Sequence, residues 1–221
     1  MIPIITIDGS TASGKTTIGK LLSKKYGFLY FDAGIVFRCL AWLCKNEAIT
    51  INEEFLIKSS SNMVIDISRE GSVFCNNKDV SNIIWDEEYA LISAEIGQYN
   101  NVRKILKGIK REMVKKVIIN DKHVGIVVVG RDVGLNIFPE TNFKFFLYCE
   151  KDVRINRRRL QLEHDQEIDK RLLSEIIKKR DYSMKARDAI TIDNSTLDPD
   201  ETVLLIEKNL AAKSEIFNIN S

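Results

Sequence analysis

The 221-residue chain holds only three prolines, four cysteines, two histidines and two tryptophans, so it is poor in the types that announce a special class. Cys39, Cys44, Cys75 and Cys149 form no C-x-x-C pair and show no metal-ligand spacing. That argues against a zinc site or a disulfide framework and for free thiols in a reducing, cytoplasmic setting. His123 and His164 each stand alone and read as surface or capping residues. No apolar run approaches the ~20 residues that a membrane span requires. The opening Met1-Ile2-Pro3-Ile4-Ile5-Thr6-Ile7-Asp8 lacks the basic leader of a signal peptide and reads as a buried strand. Charge of neither sign dominates: 33 Lys and Arg face 31 Asp and Glu, a formal net charge of +2. Such balance carries no bulk signature of nucleic-acid binding. Repeats and low-complexity tracts are also missing. The rest is an ordinary globular composition, 44% hydrophobic and 29% charged, long enough for one large domain or two small ones.

Short β-branched runs alternate with amphipathic stretches, which is the pattern of an α/β fold with a largely parallel sheet. Strands are expected at Ile4 to Asp8, Phe28 to Phe31, Gly125 to Val129, Lys144 to Tyr148 and Ala189 to Ile192. The unbroken apolar run Ile126-Val127-Val128-Val129 suits a strand covered on both faces. Helices are expected at Gly14 to Lys25 and Ile35 to Cys44, and along the stripe of Val102, Ile105, Leu106, Ile109 and Met113. Asp198-Pro199-Asp200-Glu201 offers an N-cap, a first-turn proline and a capping-box glutamate for a last helix. One segment breaks the rhythm. Met63 to Ser68 and Ser72 to Cys75 flank Arg69-Glu70-Gly71 and predict a β-hairpin, part of an insert covering roughly residues 50–100.

The strongest motif is Gly9-Ser10-Thr11-Ala12-Ser13-Gly14-Lys15-Thr16, followed by Thr17: a complete G-x-x-x-x-G-K-[ST]. Its glycines let the backbone turn tightly and aim N–H groups at phosphate oxygens. The helix beginning near Gly14 adds its positive end. Lys15 neutralises β- and γ-phosphate charge, and the Thr16 hydroxyl is a ligand for the Mg²⁺ that accompanies ATP. At average residue usage, a chance match in a chain this long is on the order of 1 in 100. The match also follows a strand and enters a helix, the context that phosphate binding needs.

A phosphate loop does not name a reaction; residues at the other strand ends must do so. The second expected strand ends in Phe31-Asp32-Ala33-Gly34 with Arg38 beyond it, and the third runs into Gly130-Arg131-Asp132-Val133-Gly134. Arginine grips phosphate bidentately, whereas a carboxylate suits a base amine, a sugar hydroxyl or hydrated Mg²⁺. In order along the chain come the phosphate loop, the D-x-G…R turn, Asp79-Val80-Ser81 and Val102-Arg103. Then follow Gly130-Arg131-Asp132-x-Gly134, Phe138-Pro139, Arg154-x-x-Arg157-Arg158 and Arg180-Asp181.

This series resembles the bacterial cytidylate kinases over essentially the whole chain. The resemblance implies a P-loop kinase fold: a central five-stranded parallel sheet flanked by helices, a small β-containing insert that binds the nucleoside monophosphate, and a helical lid. One domain would span 1–221, with the insert at roughly 50–100 and the lid at roughly 151–168. The implied activity is transfer of the ATP γ-phosphoryl group to CMP or dCMP, with Mg²⁺, by a cytoplasmic monomer that engages neither nucleic acid nor membrane. Arg38 and Arg131 would hold the acceptor phosphate, and Arg103 and Asp132 would read the cytosine. Arg180 and Arg187 would reach ribose and phosphates, and Asp32 would line the acceptor side. Lys15, Arg131, Arg157 and Arg158 would stabilise the transferring group, with Arg154, Arg157 and Arg158 on the lid.

The sequence departs from the family pattern at Ala33 and Phe37, which lack the expected hydroxyls, and at Trp85 in place of an arginine. Ala94, Leu135 and Met184 stand where serine, threonine and aspartate are usual, and the segment before Ala189 is short. Asp181 and Asp188 are candidate substitutes for the missing carboxylate. Other readings stay open at this level. Arg157-Arg158-Arg159 could be a solvated face paired with Glu163 and Asp165, and Asp32 could only cap the next helix. Trp85 and Phe37 read as packing residues. The acceptor could be UMP, dTMP or a small alcohol, or the chain could hold nucleotide as a non-catalytic regulatory module.

Overall fold

A computed structural model describes residues 2–47, 51–68, 71–120, 124–162, 177, 181–214 and 217. The chain divides into two compact units, Met1–Asp32 with Asp121–Ser221, and Ala33–Asn120.

The first unit is an α/β layer structure. Strands β1 (Ile4–Gly9), β2 (Leu29–Asp32), β6 (Ile126–Gly130), β7 (Phe143–Tyr148) and β8 (Ile190–Asp193) form one sheet in the order β2-β6-β1-β7-β8. All pairings are parallel. Each expected strand is present, displaced by no more than a residue. The central strand β1 is buried on both faces from Ile5 to Gly9, which is why its run is continuous rather than alternating. Helix α1 (Lys15–Tyr26) lays Ile18, Leu22 and Tyr26 against the sheet. These join Ile5, Ile7, Val127, Val129, Phe145, Leu147, Ile206 and Leu210 in one core. Burying an Ile or Leu side chain of this kind is worth about 1.5–3 kcal/mol. Helix α1 ends at Gly27, whose left-handed backbone (φ 64°) suits glycine, and Lys24 and Lys25 lie in its last turn where the dipole favours cations.

Among the described residues this unit also holds α6 (Lys151–Leu162) after β7 and a later helix, α7 (Pro199–Lys213). The capping box read from the sequence is formed: Asp198 accepts from Glu201 N at 2.8 Å, and Glu201 accepts from Asp198 N at 2.9 Å.

The second unit contains α2 (Ile35–Asn46), α3 (Glu53–Asn62), α4 (Glu87–Ile96) and α5 (Asn100–Asn120). It also holds an antiparallel sheet in the order β3 (Ile65–Ile67), β4 (Val73–Cys75), β5 (Lys78–Asp79). The expected hairpin is therefore formed, with Ile65 opposite Cys75 and Ile67 opposite Val73, and a short third strand is added. Leu40, Leu56, Ile84, Ile96, Val102 and Leu106 make its fully buried core. Helix α5 runs well beyond the stripe that predicted it. All four cysteines are buried free thiols, as their spacing implied.

Helix α1 reaches β6 through a glycine. A Cβ on Gly19 would stand 2.6 Å from Val129 Cγ1 and 3.0 Å from the Tyr30 ring. Overpacking of this kind costs about 1–3 kcal/mol, more than the ~1 kcal/mol of helix propensity that alanine brings. Gly19→Ala should therefore lower the urea midpoint, whereas an unchanged or raised midpoint would contradict this close approach.

Candidate active site

The phosphate loop leaves β1 at Gly9 and enters α1 at Lys15. Glycine is required at Gly9 by space: a Cβ there would lie 2.6 Å from Leu147 O and 2.8 Å from Ser13 Oγ. It is required at Gly14 by conformation, since φ is 94° where α1 starts. Ala12 also sits in the left-handed region (φ 60°) although it carries a Cβ.

The loop's carbonyls are gripped from outside. Thr11 O accepts from Arg154 Nη1 at 3.2 Å, and Ser13 O accepts from Asn194 Nδ2 at 2.9 Å. A trans peptide points its C=O and the following N–H in opposite directions. Anchoring these two carbonyls therefore turns the Ala12 and Gly14 amides to the other side, as an anion cradle needs. Arg154 is itself fixed by a bidentate pair with Asp181 (2.9 and 3.0 Å) and by Cys149 O at 3.1 Å. Arg154, which the resemblance puts on the lid, is buried and bound to the loop. Asp181, a candidate for the missing ribose carboxylate, is engaged in this pair.

The G-R-D turn is fastened to the same strand. Asp8, buried at the end of β1, accepts from Val133 N at 2.7 Å and Gly134 N at 2.8 Å. Burial pushes its carboxyl up to about 6, against the pull of the Gly134 and Val133 amides, and Asp132 adds repulsion. Downstream of the turn, Val133–Ile137 forms a π-helical turn closed by Phe138 N donating to Val133 O at 2.8 Å. Arg131 donates from Nη2 to Thr11 Oγ1 at 3.2 Å, so its guanidinium lies against the phosphate loop. Asp132 accepts from Asn136 Nδ2 at 3.0 Å.

Lys15 turns its ammonium onto Ser10 O at 2.5 Å and Ser13 Oγ at 3.4 Å. Loss of hydration first, and the neighbouring Arg131 charge second, lower its pKa to about 7, while Asp32, Asp8 and Asp181 pull the other way. Thr16 and Thr17 are exposed in the first turn of α1. The Thr16 hydroxyl, exposed in that turn, offers one hard oxygen to a cation that arrives with its phosphates.

On α6, Arg157 donates from Nη2 to Asn194 O at 2.8 Å and from Nη1 to Asn194 Oδ1 at 3.5 Å, beside Gly14. It thus faces the phosphate loop's own supports. The proposed partners Glu163 and Asp165 lie outside the described residues, as do His123, His164, Arg180 and the rest of the 163–168 stretch. Arg158 is half-buried on the same helix. Arg187 is exposed in the turn that enters β8, at the strand's amino end, so it is not gathered with the loop. Its neighbour Asp188 is held by the buried Lys144 at 2.6 Å.

In the second unit, Arg38 is on the first turn of α2 and donates from Nη1 to Ile84 O at 2.5 Å. Gly34 is the N-cap residue of α2. Asp32 ends β2 in the first unit, where its charge acts on Lys15. Arg103, on the first turn of α5, donates to Gly97 O at 3.4 Å. Trp85, expected to pack, is 45% exposed, whereas Phe37 is half-buried with the Lys110 ammonium 4.4 Å from its ring centre.

The sequence reading missed Asp8, Asn194 and the Arg154–Asp181 pair. Asp8 did carry a signal: a carboxylate inside a buried strand needs a partner.

Comparison with known proteins decides the family. The model of the cytidylate kinase family matches residues 5–216. This chain belongs to the cytidylate kinase family. A cytidylate kinase of Mesomycoplasma hyopneumoniae is 30% identical over 97% of this chain and 96% of its own length. A bifunctional pantoate ligase/cytidylate kinase of Prochlorococcus marinus is 34% identical over 97% of this chain, yet the chain spans only 44% of that relative. Among solved structures, a shikimate kinase from Bacteroides thetaiotaomicron aligns over 96% of this chain and 99% of its own, with a TM-score of 0.43 and 15% identity. In this family member, the loop, Lys15 and Arg131 form one cationic cluster within the first unit.

The lowered Lys15 pKa gives a measurable sign. Phosphate favours the charged ammonium, so MgATP binding raises that pKa and takes up a proton where the free enzyme has lost it. Calorimetric binding enthalpies at pH 8 should depend on the buffer's ionisation enthalpy in the direction of proton uptake. Toward pH 6, below the lowered pKa, the Lys15 contribution should fade. Buffer-independent enthalpies at pH 8 would contradict a neutral Lys15 in the free enzyme.

Proposed function

We propose that the chain is a single P-loop kinase domain that transfers the γ-phosphoryl group of MgATP to the 5′-phosphate of CMP or dCMP. The observation that carries this reading is Arg131. A second anion-gripping side chain is fastened against the phosphate loop through Thr11, on a turn that Asp8 ties to the same strand. A protein that merely holds nucleotide has no need of it.

In this reading Gly9 to Thr17 hold the ATP phosphates and Thr16 holds their Mg²⁺. Arg131 and Arg38 grip the acceptor phosphate, while Arg103, Asp132 and Asp32 read the base and line the acceptor side. Residues 50–100 form the acceptor-binding insert and 151–168 a lid carrying Arg157 and Arg158. An anionic oxygen of the acceptor phosphate attacks Pγ and forms the new P–O bond. The bond from Pγ to the bridging oxygen breaks, and ADP departs with that electron pair. The nucleophile is already charged, so no general base is required. The main task is to bring two polyanions together, and the loop amides, Lys15, Mg²⁺ and the arginines offset their repulsion. On binding, Lys15 exchanges Ser10 O for phosphate oxygen. The enzyme acts as a cytoplasmic monomer on small molecules, without nucleic acid or membrane. No helix among the described residues is long and apolar enough to cross a membrane.

ADP release measured with a panel of CMP, dCMP, UMP and dTMP tests the assignment. CMP and dCMP should be the best acceptors, and a preference for any other acceptor would overturn the substrate reading. Lys15→Ala should cut turnover by orders of magnitude while leaving the fold intact, and wild-type turnover in that variant would refute phosphoryl transfer at this loop. Arg131→Ala removes a charge-assisted contact worth about 1.5–3 kcal/mol. That corresponds to roughly 10–150-fold in acceptor kcat/KM, and an unchanged value would remove Arg131 from the acceptor site.

A further inference from the structure

Trp85 is an exposed aromatic on a rigid mount. It closes the short 3₁₀ turn Ile83–Trp85, whose Ile84 is fully buried and whose upstream Val80 is buried as well. The turn before it is fastened by Asp79, which accepts from Ser81 N at 2.9 Å and Ser81 Oγ at 2.5 Å. Ser81 Oγ accepts in turn from Val73 N of β4 at 2.8 Å. The peptide on either side of Trp85 is directed at one side chain: Arg38 Nη1 donates to Ile84 O at 2.5 Å and to Asp86 O at 3.4 Å. The Arg38 guanidinium lies over the Trp85 ring, 5.1 Å from its centre. Burial does not explain a tryptophan that is 45% exposed, whereas an arginine stacked on its face does.

We infer that Trp85 is a positioning residue for Arg38, orienting the guanidinium for the acceptor's phosphate. The inference rests on the proposed reading of Arg38 as a phosphate-gripping residue. Stacking engages the face of a guanidinium, whereas a phosphate is gripped by its N–H edge, so one group can do both. A flat aromatic surface also removes rotational freedom from a long side chain, and the order is then in place before the anion arrives. Trp85 itself touches no reacting atom.

The test is a double-mutant cycle with steady-state kinetics on CMP and ATP. Trp85→Ala should raise the KM for CMP several-fold with the KM for ATP unchanged, and Trp85→Phe should restore most of the loss. In an Arg38→Ala background, Trp85→Ala should add nothing. An unchanged KM for CMP in the single variant, or an equal further loss in the Arg38→Ala background, would overturn the inference. A second readout does not depend on the activity. With Trp42→Phe leaving Trp85 as the sole tryptophan, Arg38→Ala should shift its emission and increase its quenching by acrylamide. No change there would refute the stacking itself. If wild-type protein releases no ADP with any monophosphate, the functional reading fails alone, and this emission test still decides whether Trp85 holds Arg38.

Discussion

The outward grip on the phosphate loop's carbonyls is the constraint on which the site depends. A loop of small residues has no packing of its own to choose among conformations, and Ala12 and Gly14 both stand in left-handed backbone. Arg154 and Asn194 supply the choice by binding Thr11 O and Ser13 O from neighbouring elements. Arg154 can do so while buried because Asp181 neutralises it bidentately. A buried arginine without that partner would be costly. The cradle is therefore shaped by ionic and hydrogen-bonded groups that do not touch the phosphate, and the glycines only permit what these groups enforce.

The same economy of frame explains the cost stored at Lys15. Its amine is withdrawn from water and stands beside the Arg131 charge, so the charged form is disfavoured in the free site, a cost that loss of the proton or the arrival of an anion relieves. Asp8 is the counterpart with opposite sign: its carboxylate is desolvated, and its use is structural, tying the Arg131 turn to β1 through two amides. An amine and a guanidinium held close before substrate arrives, the amine charging as the anion binds, are what electrostatic preorganisation requires.

Much of the fold was legible in the sequence because its signals were redundant. The run Ile126 to Val129 could only be a strand buried on both faces, and the last helix announced itself through Asp198, Pro199 and Glu201. The phosphate loop was legible because its spacing, its strand and its helix all agreed. The supports were less visible. Asn194 is a lone amide with no periodicity to mark it, and its role follows only from β8 pairing with β7, which brings that strand's end to the loop. Trp85 looked like core because large aromatics usually are; its exposure comes from the neighbouring Ile84 taking the buried position of the turn. Residues 163–168 of the expected lid and Arg180 lie outside the described residues.

Arg187 shows how chain length overrides motif spacing. Its assignment to the acceptor came from the resemblance, in which the segment before Ala189 is longer. Here Met184 N is bound to Arg131 O at 2.6 Å, and the chain must enter β8 by Ile190. So short a connection leaves no slack to loop back. Ala186 is buried, Asp188 docks on the buried Lys144, and the side chain between them is exposed at the strand's amino end. Ligands in parallel sheets gather at carboxyl ends. Asn194, just past the carboxyl end of β8, is the residue that reaches the phosphate loop, through Ser13 O, and Arg187 precedes the same strand. The residue types alone do not separate the two positions; the shortness of the connection into β8 does.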